Sequence, residues 1–297
     1  KLFLYNKKRL NVESNTLKKT TTKWADDLVQ QADDIDPHTK HKAQFYVKQL
    51  SSALAPTNFV ATNPELLRTT LEQNGENLVR GMKMMVEDIK AGKGTLKLRQ
   101  TVPGDFQVGV NLATTPGKVV FRNDLIELIQ YTPTTTQVYK RPLLIVPPWI
   151  NKFYILDLQA ENSLARFCVE QGHTTFMVSW RNVPPECGKL TWDDYVSALI
   201  DAIEAMRDIC GVQQINGLAF CVGGTLLACA LAVLKKSRKH PVASVALLAT
   251  MLDFCDTGEL SVFIDEAYVE RREREFALER GGGILPGREL AVTFATL

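Results

Sequence analysis

The chain has 297 residues, of which 45% are hydrophobic and 23% are charged, and its formal net charge at pH 7 is +2. This composition is typical of an ordinary globular protein and excludes a disordered chain, and the length suits one large domain or two smaller ones. A net charge so close to zero gives no indication of a nucleic-acid partner. The six cysteines form no CxxC pair and no metal-ligand spacing, which favours a reducing, cytoplasmic setting without a bound metal.

The first hundred residues have the pattern of a helical domain. Helices are predicted over Thr22–Ile35, Pro37–Leu54 and Asn63–Ile89. Apolar residues recur at helical spacing in all three segments. Asn63 and Pro64 supply the N-cap and first-turn residues of the third helix, which we expect to run unbroken until Gly92. We therefore expect residues 1–104 to form a helical N-terminal domain.

After Gly104 the pattern changes to short apolar segments separated by proline, glycine and threonine, which is typical of strands. Strands are predicted over Phe106–Leu112, Lys118–Phe121, Leu125–Tyr131, Leu143–Val146, Thr174–Ser179 and Ala243–Leu248. Helices are predicted over Leu156–Gln171, with Phe167 facing inward, and after the capping box that begins at Thr191. This alternation of strands and helices predicts an α/β domain with a parallel, doubly wound sheet over residues 105–297.

The segment Gln214–Leu234 predicts a strand, a sharp turn at Cys221 and a buried helix from about Gly223. This is the layout of a nucleophile elbow, a turn that lifts one side chain off the end of a strand into a pocket. The usual pattern is G-x-S-x-G, but here cysteine replaces serine and Ala219 replaces the first glycine. The amide of Val222 would begin the helix and could donate a hydrogen bond to an oxyanion.

Two other interpretations of this segment stay open from the residues alone. Gly217–Leu234 is an uncharged run followed by basic residues, which is the outline of a short membrane span. A cysteine in an apolar helix is also more often inert packing than a nucleophile. The strand-like first half and the glycine pair favour the elbow over the span.

Four segments of the chain resemble the polyhydroxyalkanoate (poly-3-hydroxybutyrate) synthases, in particular the class I type. They are Pro147–Leu158 (PPWINKFYILDL), Thr175–Asn182 (TFMVSWRN), Ala219–Thr225 (AFCVGGT) and Leu252–Glu266 (LDFCDTGELSVFIDE). The resemblance implies an α/β-hydrolase-like sheet, incomplete here, behind a helical N-terminal domain, with a cap that starts at about residue 252. It also implies an acyltransferase that polymerises (R)-3-hydroxyacyl-CoA into polyester. CoA is then the leaving group of the substrate, and no cofactor is implied.

The resemblance identifies Cys221 with the nucleophile of the family. A thioester on cysteine keeps the activation of the CoA thioester, so the acyl group can still pass to a hydroxyl. We expect the backbone amides of Val222 and Ile150 to form the oxyanion site. Contacts with the substrate are expected from Trp149, Asn151 and Tyr154.

A cysteine nucleophile also needs a base, which the family supplies as a histidine oriented by an aspartate, in the order Cys, Asp, His. The sequence has four histidines, and only His240 follows Cys221. We expect His240 and His173 at the opposite end of the sheet, and His38 and His41 in the helical domain. The chain is therefore expected to be a fragment, open at both ends, that lacks the catalytic Asp and His.

Two functions remain open on this basis. The first is the acyltransferase itself, and the second is a catalytically inactive chain that binds polyester granules or partner synthase subunits. A hydrolase is a weaker third, because cysteine in place of serine suits transfer better than hydrolysis. The resemblance further implies contact with the growing polyester and the granule surface, a homodimer, and a cytoplasmic, granule-associated location without a transmembrane segment.

Overall fold

The computed structural model describes residues 16, 19–94, 98, 104–184, 187–278 and 283–296. Contacts between Cα atoms divide the chain into two units. The first is Lys1–Val102 together with Gly258–Asp265, and the second is Pro103–Thr257 together with Glu266–Leu297. The domain boundary at residue 104, and the cap start at residue 252, stay predictions.

The first unit is built from helices. They are α1 (19–31), α2 (Pro37–Ala53), α3 (Pro64–Glu72) and α4 (Glu76–Ala91), with short 3-10 turns at Pro56–Asn58 and Gly258–Phe263. The side chain of Asn63 accepts hydrogen bonds from the amides of Glu65 and Leu66, and Pro64 occupies the first turn. The predicted start of the third helix is therefore confirmed, and its predicted end is confirmed by the C-cap at Gly92.

The expectation that this helix runs unbroken from Asn63 is wrong. Asn74 and Gly75 both have positive φ, of 48° and 83°, and they separate α3 from α4. Two left-handed residues in succession cannot continue a right-handed helix, and the amide of Gly75 turns back to the Thr70 carbonyl at 2.8 Å. Apolar periodicity continued across this break, which is why the sequence pattern concealed it.

Helix α2 packs against the segment Gly258–Asp265 within the first unit. Phe45 is buried and contacts Phe263 edge to face, with ring centroids 5.4 Å apart. Lys42 and Asp265 form an ion pair of 2.7 Å beside this contact. These contacts explain why a segment so late in the chain belongs to the first unit.

A six-stranded sheet forms the centre of the second unit. In chain order its strands are β1 (Gly117–Arg122), β2 (Ile126–Tyr131), β3 (Leu143–Val146), β6 (Thr175–Trp180), β7 (Ile215–Phe220) and β8 (Val242–Leu248), and β4 (Asp157–Gln159) and β5 (Asn162–Ser163) form a separate hairpin. The spatial order is β1-β2-β6-β3-β7-β8. Strand β3 runs parallel to β6 and β7, and β7 runs parallel to β8, whereas β2 pairs antiparallel with both β1 and β6. The sheet is therefore mixed, and the expected parallel arrangement holds only for β6, β3, β7 and β8. The predicted α/β-hydrolase-like class is thus confirmed.

Three helices pack on the two faces of this sheet, namely α5 (Leu164–Glu170), α6 (Trp192–Cys210) and α7 (Val222–Lys236). Helices α8 (Glu266–Leu278) and α9 (Gly287–Thr296) follow later in the chain. The larger core joins the sheet to α6 and α7 through Leu144, Phe176, Leu199, Ile203, Met206, Leu226 and Leu227. The smaller core joins it to α5 through Leu143, Ile145, Ala165, Cys168, Val169 and Met177. Alternate residues of β3 enter opposite cores, as the period of a strand requires.

Two predicted elements of this unit are wrong. Residues Phe106–Leu112 form a turn in place of the expected strand, because the Gln107 carbonyl accepts the amides of Val110, Asn111 and Leu112, each at 3.1 Å. The helix expected over Leu156–Gln171 is replaced in its first half by the β4–β5 hairpin. Helix α5 begins only after Ser163, whose hydroxyl accepts the amide of Arg166 at 2.9 Å as the N-cap.

Phe167 was expected to face inward and is instead 57% exposed. Ala165, Cys168 and Val169 follow the i, i+3, i+4 spacing and form the buried side of α5. Phe167 lies about 200° around the helix from Ala165, so it points away from the sheet.

Candidate active site

Cys221 lies at a sharp turn between the end of β7 and the start of α7. Its backbone has φ of 53° and ψ of −129°, a conformation that L residues rarely adopt. Its amide donates to the Leu248 carbonyl at 2.8 Å, and its carbonyl accepts the amide of Gly224 at 2.9 Å. The strand, turn and helix expected for a nucleophile elbow are all present. Such strain is typical of functional sites and costs about 1–3 kcal/mol.

The alternative of a membrane span through Gly217–Leu234 is wrong. The segment is divided between β7 and α7, so it contains no continuous helix of spanning length. Within the described ranges, no helix combines the length and the apolar character needed to cross a bilayer.

Both glycines after Cys221 lie in close contact with their neighbours, Gly223 with backbone atoms and Gly224 with the side chain of Thr250. A Cβ atom on Gly223 would lie 2.5 Å from the carbonyl oxygen of Val146. A Cβ atom on Gly224 would lie 2.0 Å from the Oγ1 atom of Thr250. The start of α7 therefore presses against the ends of both neighbouring strands, β3 and β8.

Ala219 occupies the position where the elbow pattern has a glycine. It pairs with Val146 on β3 and with Leu247 on β8, and its side chain is fully buried in the larger core. The turn at Cys221 forms with this alanine in place, so the departure from the pattern is accommodated by packing.

The backbone amides of Val222 and Ile150 lie at the same end of the sheet. Neither the amide of Val222 nor that of Ile150 donates a hydrogen bond to any described residue, whereas the neighbouring amide of Asn151 donates to Pro148 at 3.2 Å. Val222 opens α7, and Ile150 lies in the loop after β3, whose first residue, Pro147, contacts the Gly223 position. The pairing of these two amides at one oxyanion stays a prediction.

An aromatic cluster holds the loop after β3. The Trp149 ring lies 6.1 Å from Trp180, 5.3 Å from Trp192 and 5.4 Å from Tyr195, measured between ring centroids. The indole Nε1 of Trp180 donates to the Pro147 carbonyl at 2.8 Å in a buried position. The loop that carries Ile150 is thus anchored at its first residue and again at Trp149.

The remaining predicted contact residues follow in the same loop. Asn151 is half-buried, and Tyr154 lies in the 3-10 turn Phe153–Leu156 with its ring 5.6 Å from that of Phe153. Lys152 donates to the side chain of Asn182, which joins the loops after β3 and β6. We did not single out this link from the sequence, although both residues fall in segments that carry the family resemblance. The substrate contacts of Trp149, Asn151 and Tyr154 stay predictions.

Two histidines of the second unit lie at the other end of the sheet. His173 precedes β6 and shares a surface cavity with Lys140, Arg141 and Gln214. His240 precedes β8, and its carbonyl accepts the side chain of Gln214 at 3.1 Å. Cys221 follows the opposite end of β7, and a six-residue strand at ~3.3 Å per residue spans about 20 Å.

Comparisons with known proteins agree with the fold of the second unit. Residues 7–168 match the N-terminus of poly-beta-hydroxybutyrate polymerase (PhaC), and residues 141–294 match the alpha/beta hydrolase fold. A poly(3-hydroxyalkanoate) polymerase subunit PhaC of Rhizobium etli is 48% identical over 93% of this chain and 43% of its own length. The polymerases of Methylorubrum extorquens and Cupriavidus necator are 49% and 50% identical over 93% and 89% of this chain. The chain spans 45% of the length of each of these two relatives.

Proposed function

The chain belongs to the poly-beta-hydroxybutyrate polymerase (PhaC) family, and from that premise we propose that it carries the nucleophile of a polyester-forming acyltransferase. The proposed substrate is an (R)-3-hydroxyacyl-CoA, and the product is polyhydroxyalkanoate with release of CoA. The observation that carries the proposal is the position of Cys221, held at positive φ between β7 and α7.

The proposed reaction has two transfers through Cys221. Its thiolate attacks the carbonyl carbon of the CoA thioester, the carbon–sulfur bond to CoA breaks, and CoA leaves as a thiolate that takes up a proton. A hydroxyl group of the growing chain or of another substrate then attacks the Cys221 thioester. An ester bond forms, the hydroxyl proton passes to a base, and the Cys221 thiolate is released. No redox step occurs, so the proposal includes no cofactor.

The amides of Val222 and Ile150, which donate to no described residue, support an oxyanion site in both transfers. Each transfer places negative charge on the carbonyl oxygen, and backbone donors fixed by the fold stabilise that charge without reorganisation. The first turn of α7 adds the partial positive charge of a helix N-terminus. The anchoring of the loop through Trp149 and Pro147 supports a fixed position for the Ile150 amide.

A second candidate function rests on the histidines. His173 and His240 lie at the far end of the sheet from Cys221, and His41 contacts Ser261 and Glu259 at 3.2 and 3.4 Å in the first unit. We propose that none of them serves Cys221 as a base. On this second proposal the chain alone binds a polyester granule or a synthase subunit without turnover.

The proposal also covers partners and location. Because the relatives are poly(3-hydroxyalkanoate) polymerases, we propose the growing polyester and its granule surface as partners. A homodimer and a cytoplasmic, granule-associated location belong to the same proposal.

Acylation mapping tests the proposed nucleophile. The chain is incubated with 3-hydroxybutyryl-CoA, digested at low pH and searched by mass spectrometry for acyl groups on its six cysteines. We expect the adduct on Cys221, its loss in Cys221→Ser, and its retention in Cys229→Ser, a matched variant in the helix that follows Cys221. Adducts spread over several cysteines, or retained in Cys221→Ser, would contradict the assignment.

A further inference from the structure

A groove runs across the second unit at the end of the sheet opposite Cys221. It consists of two cavities, of about 720 and 460 Å³, which meet at Gln213 and Gln214 because these two residues line both of them. We call it the basal groove, and its lining includes Lys140, Arg141, Gln213, Gln214, Asn216 and Lys239. Ligands of parallel sheets usually bind at the carboxyl ends of the strands, so the proposed acyl transfer does not account for a groove at their amino ends.

Backbone hydrogen bonds bring three chain segments together in the basal groove. The amide of Asn216 donates to the Pro142 carbonyl, and the amide of Ile215 donates to the Pro241 carbonyl, each at 2.9 Å. The start of β7 therefore lies between the segments that precede β3 and β8, in agreement with the strand order β3-β7-β8. Neighbouring strands are about 4.8 Å apart, so roughly 10 Å separates the two outer segments across the sheet.

The lining of the basal groove is positively charged. Lys140 and Arg141 precede β3, Lys239 precedes β8, and all three residues are exposed. Glu204 is the one carboxylate among the described lining residues, and its ion pair with Arg207 neutralises it. Within the described ranges, the three cations on the two outer segments form no ion pair, so the groove keeps an uncompensated positive charge.

Helix dipoles do not cancel this positive charge. Helices α6 and α7 both end beside the basal groove, and the partial negative charge at a helix C-terminus attracts cations. At the end of α6 the amides of Gly211 and Val212 donate back to helix carbonyls, and at the end of α7 Lys235 and Lys236 occupy the last turn. Each helix end thus has its own compensation. The three unpaired cations lie outside both helices, so their charge remains for a ligand.

The turn between the outer segments adds hydrogen-bond donors. Neither the amide of Gln213 nor that of Gln214 donates a hydrogen bond to any described residue. The side-chain oxygen of Asn216 accepts the hydroxyl of Ser244 at 2.9 Å, which leaves the NH₂ group of Asn216 as a further donor. Guanidinium and ammonium groups form charge-assisted hydrogen bonds with phosphate oxygens, and backbone amides in turns also bind anions. This combination favours a phosphate-bearing ligand.

We propose that the basal groove binds a small molecule with two linked phosphate groups. Lys140 and Arg141 hold one phosphate and Lys239 holds the other, because a single phosphate cannot engage both outer segments at once. The guanidinium of Arg141 can bind its phosphate with two parallel hydrogen bonds. This site lies at the end of the sheet opposite Cys221, and it does not rest on the proposed acyl transfer.

The diphosphate has two possible sources, an inorganic diphosphate and a nucleoside diphosphate. The ring of Tyr139, in the same lining, is 62% exposed and is available to stack against a base. The test therefore uses both inorganic pyrophosphate and ADP as probes. Tighter binding of ADP would support the proposal with a nucleotide as the source, and equal or weaker binding of ADP would support it with an inorganic source.

Isothermal titration calorimetry of the 297-residue chain tests the site, at low ionic strength and without divalent cations. We expect one pyrophosphate per chain, bound roughly tenfold or more tightly than orthophosphate. Arg141→Gln and Lys239→Gln should each weaken pyrophosphate binding roughly tenfold, as expected for the loss of one charge-assisted hydrogen bond. Lys239→Gln should affect orthophosphate less than pyrophosphate, because the cations before β3 still hold a single phosphate.

Lys118→Gln is the matched control. It removes an exposed lysine from β1, at the other edge of the sheet, and should leave pyrophosphate binding unchanged. Far-ultraviolet circular dichroism checks that the three variants fold like the wild type. Absence of saturable pyrophosphate binding would overturn the proposal. Several pyrophosphates per chain, or equal weakening by Lys118→Gln and Lys239→Gln, would overturn it as well, because the anion would then be attracted to basic surface in general.

Discussion

The amide of Cys221 donates a 2.8 Å hydrogen bond to the carbonyl of Leu248, and this bond ties the elbow to the end of β8. The same bond fixes Cys221 at φ of 53° and ψ of −129°. The strained turn is thus supported by the neighbouring strand on one side and by the contact of Gly223 with Val146 on the other. Strain of this kind persists only where the surroundings over-determine the backbone.

Relief of this strain should be measurable at Cys221. We expect Cys221→Gly to be more stable toward unfolding than Cys221→Ala by roughly 1 kcal/mol. Glycine tolerates positive φ, and the strain it relieves, about 1–3 kcal/mol, exceeds the 0.5–1 kcal/mol of entropy that it costs. Urea unfolding followed by circular dichroism gives the two free energies.

The same pair of substitutions at Cys229 is the control for this comparison. Cys229 lies inside α7, where glycine is about 1 kcal/mol less favourable than alanine. The alanine variant should therefore be the more stable one at Cys229, whereas the glycine variant should be the more stable one at Cys221. If glycine is the less stable choice at both, Cys221 is not strained in solution.

The glycine pair gives a second prediction. The three atoms nearest to a Cβ at Gly224 all belong to the side chain of Thr250, whereas the three nearest to a Cβ at Gly223 are backbone atoms of Val146 and Pro147. We expect each alanine substitution to lower the free energy of unfolding by about 1–3 kcal/mol. Thr250→Gly removes the atoms that obstruct Gly224, so it should reduce the cost of Gly224→Ala and leave that of Gly223→Ala unchanged.

Gly81→Ala serves as the matched control for the glycine pair. A Cβ at Gly81 meets no atom within 4 Å, and the site is exposed within α4. Alanine there should raise stability by roughly 0.5–1 kcal/mol. A cost at Gly224 that Thr250→Gly does not reduce would show that the close contact with Thr250 is absent in solution.

Local sequence patterns predicted the parallel part of the fold and missed elements that depend on distant contacts. The buried runs of β3 and β7 and the capping box at Thr191 are visible because each is specified within a few residues. The β4–β5 hairpin is different, because it contains the buried carboxylate of Asp157. This carboxylate accepts hydrogen bonds from the hydroxyls of Thr115 and Ser163, at 2.6 Å each. Thr115 lies 42 positions before Asp157, and no local sequence pattern indicates that these two residues form a hydrogen bond.

The candidate site was predictable to a similar extent. Cys221 and its glycines follow a short motif, so their geometry could be predicted from the sequence. The anchoring of the loop after β3 could not, because the hydrogen bond from Trp180 to Pro147 joins residues 33 positions apart. Ser163, an N-cap residue just before the apolar start of α5, is the local feature that could have corrected the helix boundary.

A third prediction concerns the pH dependence of stability. Tyr131 is 2% exposed, and burial together with the negative charge of Asp157 raises the pKa of its phenol well above the ordinary value of about 10. The folded state therefore favours the protonated phenol. Its contribution to stability is complete below pH ~10 and is lost as the pH rises above that value, because the unfolded state ionises first.

Tyr131→Phe removes the titrating group and should flatten the alkaline decline by up to ~1.4 kcal/mol per pH unit. Its hydroxyl is buried and forms no hydrogen bond with any described residue, so stability at neutral pH should be unchanged or slightly higher. Urea unfolding in a series from pH 7 to above the ordinary tyrosine pKa of about 10 checks both statements. Identical alkaline slopes for wild type and Tyr131→Phe would show that the phenol reaches solvent in the folded state.

The last prediction concerns turnover by the chain alone. We expect CoA release from 3-hydroxybutyryl-CoA to be slower than that of a version extended to the length of the relatives by roughly 10⁴–10⁶, the usual cost of losing a triad base. His173 and His240 lie a full strand length from Cys221, so His173→Ala and His240→Ala should leave the residual rate unchanged. Cys221→Ala should abolish the residual rate in both versions. Comparable rates from the two chains, or a loss of the residual rate in either histidine variant, would show that a base for Cys221 already lies within these 297 residues.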